Sequence, residues 1–337
     1  MKKSFRKICL FFIILLTFIT ITSVNSNKIY AAKDNSVILG GHTIGIKLDT
    51  GIYVVGKYEV KSENNETLSP WKNSDIEVGD KITYFNNKKI TTNTELLNEL
   101  KNIKKNTVNL KIERKNKIIN TKIDIVNTKE SSKSIGLYIK DRLLGIGTMT
   151  YIDPDTRKFA SLGHGIYDNN VIIGTQKGTI NVSSIEGIKK GTRGSAGEKK
   201  AIFSNVQLGT VVSNKITGIY GVVTNDDLLR GTKVEVGTQN DVKIGPAKIY
   251  TVIDGKKVES FSIKIIDVVK QESTNVKGIK FEVTDQELIS KTGGIIQGMS
   301  GSPIVQNNKL VGAVSHVLID EPKIGYGVHI EWMKKDI

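Results

Sequence analysis

Cysteine is almost absent. The one example, Cys9, lies at the start of an N-terminal apolar run, so the rest of the chain can form no disulfide and no Cys-ligated zinc site, and it offers no thiol nucleophile. That position, before the run rather than after it, also argues against a lipoprotein anchor. Histidine is scarce too: His42, His164, His316 and His329 are widely dispersed, with no His-x-x-x-His pair. Neither a metal site nor any cofactor is expected. Arginine supplies only six of the 49 basic residues behind the formal charge of +15. The positive charge is carried by scattered lysines, which lack the planar fork that pairs with phosphate and guanine. A nucleic-acid partner is therefore not expected, and the long-range consequence left is weak attraction to an anionic membrane surface. Five prolines against 32 glycines, with 38% apolar residues, describe a globular, turn-rich chain. Its 337 residues are enough for two domains behind a leader.

The N-terminus has the pattern of an export signal. Lys2, Lys3, Arg6 and Lys7 precede an uncharged stretch from Ile8 to Asn27 rich in Leu, Ile and Phe. The stretch is long enough to span a bilayer, and Val24-Asn25-Ser26 offers small residues for cleavage. Residues 1–32 are thus expected to be a signal peptide or a membrane anchor, and both place the remainder outside the cytoplasm.

Residues 33–127 form one unit with strand-like alternation at Ile44-Gly45-Ile46-Lys47-Leu48 and Gly51-Ile52-Tyr53-Val54-Val55. There follow the block Ser74-Asp75-Ile76-Glu77-Val78-Gly79-Asp80-Lys81-Ile82, the turn at Asn86-Asn87, and a short helix from Thr91 to Leu100 with Leu96, Leu97 and Leu100 on one face. Val108–Ile112 and Ile118–Ile125 close the unit as a hairpin. The Ser-Asp-Ile-Glu-Val-Gly-Asp-Lys-Ile block, Asn-Asn-Lys-Lys-Ile and the helix through Glu95-Leu96-Leu97 resemble a PDZ domain of the bacterial-protease type. The resemblance implies peptide capture by strand addition, with Ile44, Gly45 and Ile46 as the carboxylate-binding loop. A fold used only as a spacer or internal regulator is the alternative. A charged linker over 127–134 leads into residues 128–337, which alternate short strands with turns such as Asp153-Pro154-Asp155-Thr156 and contain no long amphipathic helix. The expected fold is mainly β: a PDZ domain followed by an antiparallel barrel or sandwich.

The sharpest local pattern is Gly298-Met299-Ser300-Gly301-Ser302-Pro303. It resembles the Gly-x-Ser-Gly-Gly-Pro nucleophile loop of chymotrypsin-like serine proteases, with Ser302 in place of the second glycine. Glycines let such a loop turn sharply, expose the serine hydroxyl, and point backbone N–H groups at a carbonyl oxygen under attack. By the match, Gly298 and Ser300 are the oxyanion-hole donors. A serine nucleophile needs a base. His164, in Leu162-Gly163-His164-Gly165 just after a strand, has the clearance and the His-before-Ser order; His42 belongs to the PDZ unit, and His316 and His329 read as packed or surface residues. Spacing alone leaves the third member open among Asp285, Asp226 and Asp227.

Taken together and in order, the export segment, the PDZ unit, Gly-Ile-Gly-Thr leading to Leu-Gly-His-Gly, and the terminal Gly-Met-Ser-Gly-Ser-Pro-Ile resemble the stage IV sporulation protein B peptidase family. The resemblance implies a catalytic set of His164, Asp285 and Ser300 on a chymotrypsin-like barrel. It further implies forespore export into the intermembrane space, and cleavage of a membrane-bound regulator of an intramembrane protease so that a late sigma factor is activated. Self-cleavage near the N-terminus, which releases the anchored form, belongs to the same expectation. An α/β-hydrolase is disfavoured: position 302 is not glycine, the histidine would have to be His316 or His329, and no βαβ pattern exists. A non-catalytic PDZ scaffold on a protease-like fold is the remaining alternative.

Overall fold

The computed structural model describes residues 35–115, 117–130, 132–168, 171–172 and 178–337. The expected export segment lies outside them. Strand accounts for 54% and helix for 11%, as a mainly β chain requires. The principal strands are β1 (Ser36–Leu39), β2 (Thr43–Lys57), β3 (Lys81–Phe85), β4 (Thr107–Arg114), β5 (Lys117–Asp124), β6 (Leu137–Ile152), β7 (Lys158–Ser161), β8 (Gly178–Lys189), β9 (Glu198–Lys215), β10 (Gly218–Val223), β11 (Lys233–Val236), β12 (Gly245–Thr251), β13 (Glu259–Val268), β14 (Ile279–Val283), β15 (Pro303–Gln306), β16 (Lys309–Val317) and β17 (Ile324–His329). Three helices complete the frame: α1 (Asn93–Asn102), α2 (Gln286–Thr292) and α3 (Ile330–Lys335).

Two cycles of antiparallel pairing organise the chain outside the PDZ unit. In the first, β2 pairs with β8, β8 with β9, β9 with β10, β10 with β7, β7 with β6, and β6 again with β2. In the second, β12 pairs with β13, then β14, β17, β16 and β15 follow, and β15 returns to β12. Alternation along the strands fills each interior. Ile44, Ile46 and Leu48 of β2 meet Met149, Phe159, Ile180 and Ile219 inside the first ring. Phe261, Ile263 and Ile265 of β13 meet Ile279, Phe281 and Ile304 inside the second. Between the rings, Tyr151, Ala160 and Tyr220 from the first pack on Leu310, Ala313 and Val328 from the second, with Trp332 and Met333 of α3 against them.

The PDZ unit is spliced into the first ring. β2 runs unbroken from Thr43 in that ring to Lys57 in the PDZ sheet. β6 runs back antiparallel beside it, from Leu137 opposite Lys57 to Thr148 opposite Thr43. Beyond Gly51, β2 pairs with β3, β3 with β4 and β4 with β5. Ile52, Val54, Ile82, Val108, Leu110 and Ile112 form a separate PDZ core with Leu137. Helix α1 starts at a Thr92–Glu95 capping box and seals that core with Leu96 and Leu100, while Leu97 faces solvent. The cores therefore divide the chain differently from a single cut at residue 127: residues 36–48 belong with 143–337.

That arrangement corrects the expected carboxylate-binding loop. Ile44, Gly45 and Ile46 are flanked by β6 on one side and β8 on the other, and both isoleucines are fully buried in the first ring. A peptide terminus cannot reach backbone N–H groups already committed to two ladders.

A polypeptide of residues 128–337 lacks β1 and the first half of β2, so its first ring has a gap and loses Ile44, Ile46 and Leu48 at about 2 kcal/mol of burial each. Circular dichroism on heating should show no cooperative transition for this fragment and a sharp one for residues 35–337. A sharp transition in the fragment would contradict the spliced arrangement.

Candidate functional site

His164 stands just past the end of β7, in the first ring. The chain reaches it through two left-handed residues, Leu162 (φ 74°) and Gly163 (φ 68°). Leu162 can pay that conformational penalty because its side chain is buried in the first-ring core. Gly163 lies so close to β16 that a Cβ there would sit 2.7 Å from the Val314 carbonyl oxygen.

Ser300 stands in the turn that leads from α2 into β15, in the second ring, and is half-buried. Gly301, at φ 92°, packs so tightly that a Cβ would run into the Thr148 carbonyl and the Leu162 backbone nitrogen. The serine turn and the histidine turn therefore touch backbone to backbone. The residues expected from the sequence to be nucleophile and base are brought to one place, at the junction of the two rings. Ser300 Oγ makes no hydrogen bond to His164 in this structure.

The hydrogen bonding of the serine turn is selective. The N–H of Gln297 donates to Gly197 O at 2.9 Å, that of Met299 to Ile296 O at 3.1 Å, that of Gly301 to Val314 O at 2.7 Å, and that of Ser302 to Met299 O at 2.9 Å. Among the described residues the N–H groups of Gly298 and Ser300 have no acceptor. These are the two groups that the nucleophile-loop pattern designates as oxyanion donors. Gly298 has φ 93°, and a Cβ there would come within 3.0–3.2 Å of the Lys199 side chain, so a glycine is needed for both reasons.

The His164 ring is held by two neighbours. Nδ1 bonds the Gly165 carbonyl at 2.8 Å, and the ring tilts against His316 with centroids 5.4 Å apart. As a carbonyl only accepts, this bond puts the proton on Nδ1 and leaves Nε2 with a free lone pair. Burial holds the His164 pKa below the ordinary histidine value, partly opposed by the Gly165 bond. His316 is pushed down to about 4, first by burial and then by the repulsion that its protonated ring would meet from a protonated His164 and from Lys277. Both imidazoles are therefore neutral at neutral pH.

Asp285 sits elsewhere. It is the N-cap of α2, with Oδ1 accepting Leu288 N–H at 3.0 Å and Oδ2 accepting Ser262 N–H at 3.2 Å. No hydrogen bond joins it to His164: the contacts its carboxylate makes are these two backbone N–H groups, and the Nδ1 of His164 is on the Gly165 carbonyl instead. Asp226 and Asp227 are no closer in role. Both are exposed, the first paired with Arg157 and the second with Arg230. Arg157 precedes β7 and His164 follows it, which separates them by about 13 Å or more of extended chain. Among the described residues no carboxylate bonds His164, and no group of three or more His, Cys, Asp or Glu side chains could hold a metal ion. His329 is fully buried, with Nε2 on the Val269 carbonyl at 2.9 Å, while His42 is exposed at the head of β2.

Two residues that sequence reasoning passed over line the site from beneath. Thr148 is fully buried between the two turns. Lys199 is buried below Gly298, its Nζ donating to Thr251 Oγ1 at 2.8 Å and Thr43 Oγ1 at 3.4 Å, and burial depresses its pKa to about 7. Neither carries a sequence signature, since one hydroxyl among many threonines and one lysine among many lysines stand out only by their surroundings.

No curated protein matches the chain. Among solved structures, one described as "Crystal structure of Rv3671c protease, inactive form" is similar over 56% of this chain and 81% of its own, at 15% identity and a TM-score of 0.34, a likeness too loose to bear on the chemistry. A PDZ domain model matches residues 42–125. The model of the SpoIVB peptidase S55 family matches residues 131–334, more than half of the chain. The chain therefore belongs to the SpoIVB peptidase S55 family and carries a PDZ domain.

Proposed function

We propose that the chain is a serine endopeptidase, its two pairing cycles serving as the double barrel of a chymotrypsin-like enzyme, with Ser300 as nucleophile and His164 as general base. The observation that carries this reading is the pair of free N–H groups, Gly298 and Ser300, in a turn whose other N–H groups are all bonded. In the reaction Nε2 of His164 takes the Ser300 proton as Oγ attacks the peptide carbonyl. The developing oxyanion falls between the two N–H groups, each such donor being worth roughly 10²–10³ in turnover. The imidazolium then passes its proton to the leaving amine, and water repeats the sequence on the acyl-enzyme. The Ser300–His164 hydrogen bond forms when substrate fills the cleft, as is common for catalytic pairs that are apart in the free enzyme. Gly165 takes over the orienting task that a third residue otherwise performs.

The family and the export pattern of residues 1–32 support one substrate class. It is a membrane-associated regulatory protein met outside the cytoplasm, in the space between forespore and mother cell, whose cleavage leads to activation of a late sigma factor. The chain's own N-terminal region is a second substrate. In place of residues 44–46, the peptide-binding edge of the PDZ unit is the side of β6 from Leu137 to Arg142 that faces away from β2. Among the described residues it has no strand partner, it lies beside α1 through the Asn93 N–H bond to Asp141 Oδ2, and Gly136 at its head takes φ 67°.

Replacing Ser300 or His164 by alanine should lower peptide-bond cleavage about 10⁴-fold and abolish N-terminal self-processing followed by mass spectrometry. Identical fragmentation of wild type and Ser300→Ala would favour the non-catalytic scaffold instead.

The pH profile and Asp285 provide a separate check. A general base works in its neutral form, and burial lowers the His164 pKa, so the acid limb of kcat/KM should have its midpoint below pH 6.5. Asp285→Asn should leave that midpoint and kcat within about three-fold of wild type, and Asp285→Ala should cost about 1 kcal/mol of stability through the lost cap. A fall of about 10⁴-fold in Asp285→Asn would restore the carboxylate to the catalytic set.

A further inference from the structure

The peptide planes of the serine turn are held one by one. The Gln297 carbonyl accepts Lys199 N–H at 3.0 Å, the Met299 carbonyl accepts Ser302 N–H at 2.9 Å, and the Ser300 carbonyl accepts Thr148 N–H at 2.8 Å. Those three donors are backbone groups that no ordinary substitution removes. The fourth carbonyl, that of Gly298, is held by a side chain, Thr148 Oγ1, at 2.8 Å. Its own residue has no side chain and a left-handed φ of 93°, so apart from the Met299 N–H bond to Ile296 O at 3.1 Å the Gly298–Met299 peptide depends on this hydroxyl for its orientation. Thr148 does more than grip this one turn. Its carbonyl accepts Leu162 N–H at 3.3 Å, in the turn that carries His164. A single buried residue thus bonds the oxyanion-hole glycine, the nucleophile residue and the base turn. Thr150, two residues on along β6, makes the same kind of bond one turn position further, donating Oγ1 to Gly301 O at 2.8 Å.

We propose that Thr148 is a positioning residue for peptide-bond hydrolysis, its hydroxyl fixing Gly298 so that the two oxyanion donors converge and its backbone keeping the serine and histidine turns in register. The proposal rests on the serine-peptidase reading given above. It assigns Thr148 no contact with substrate. The hydroxyl acts through Gly298, and its contribution is realised when charge appears on the substrate oxygen, so it should appear in kcat rather than in KM.

Thr148→Val is the isosteric test, because it deletes the hydroxyl and keeps the backbone bonds, the β-branch and the volume. On a chromogenic peptide, kcat should fall about 10- to 100-fold with KM within about three-fold, somewhat less than the loss of a whole oxyanion donor. Affinity for a peptidyl boronate, whose tetrahedral adduct carries an oxygen in the hole, should fall by a similar factor. Thr148→Ser, which restores the hydroxyl, should return both to within about three-fold of wild type. Melting temperature measured on all three reports folding. A Thr148→Val variant that melts like wild type and keeps its kcat and boronate affinity overturns the proposal. Should that variant fail to fold, Thr148→Ala and Thr148→Ser decide it, and equal kcat and boronate affinity in those two overturn it equally. A wild-type chain that neither cleaves peptides nor reacts with a fluorophosphonate at Ser300 would sink the peptidase reading itself, which is a distinct result from an active wild type with an unaffected valine variant.

Discussion

Gly301 and Leu162 meet backbone against backbone, at a separation that leaves no room for a side chain on the glycine. One belongs to the turn that enters the second ring and the other to the turn that leaves β7 in the first, so the contact can form only where the two rings abut. Left-handed backbone on both sides makes it possible: Leu162 and Gly163 on the histidine side, Gly298 and Gly301 on the serine side. Such conformations persist when their surroundings overdetermine them. Here the surroundings are a leucine sunk into one core, a methionine sunk into the other, and Thr148 bonded to both turns. The geometry of the candidate site is thus a consequence of how two cores are docked, and the interface of Tyr151, Tyr220, Leu310 and Val328 is what docks them.

The same strand that supplies Thr148 links the site to the PDZ unit. β6 starts in the PDZ core at Leu137 and passes between the two turns at Thr148, with β2 beside it from Lys57 to Thr43. An inserted domain joined by a two-stranded antiparallel ribbon has less freedom to reorient than one tethered by a flexible linker, because most of the connection is committed to a ladder, with register breaks between Tyr138 and Ile139 and between Lys140 and Arg142. The charged stretch over 127–134 reads as a linker in the sequence, yet Lys133–Ser134 pairs with Val126–Asn127 and the Lys133 ammonium reaches the end of α1. Polar composition there reflects exposure.

Ser300 and His164 were legible because glycine on both sides of a reactive residue is a local signal, and because only four histidines compete for the role. Asp285 is ambiguous because Thr-Asp-Gln-Glu-Leu satisfies two patterns at once. An aspartate shortly before the serine fits the family's catalytic set, while an aspartate three residues ahead of Leu288 and just ahead of two more helix formers is an N-cap. The capping contacts are the ones present. Ile44-Gly45-Ile46 misled for a topological reason. Apolar alternation states that a strand is half-buried without saying which of two cores buries it, and β2 serves both. Thr148 and Lys199 were illegible because the side-chain contacts that make their roles are to residues about 150 and 50–150 positions away.

The central claim is that the free N–H groups of Gly298 and Ser300 form an oxyanion hole served by Ser300 and His164. A crystal structure of the chain with a peptidyl boronate tests it most directly. The account predicts a bond from boron to Ser300 Oγ, one boronate oxygen between the two N–H groups, and His164 Nε2 facing another. Boron bonded to a different side chain, or an adduct whose oxygens avoid those two N–H groups, would contradict it.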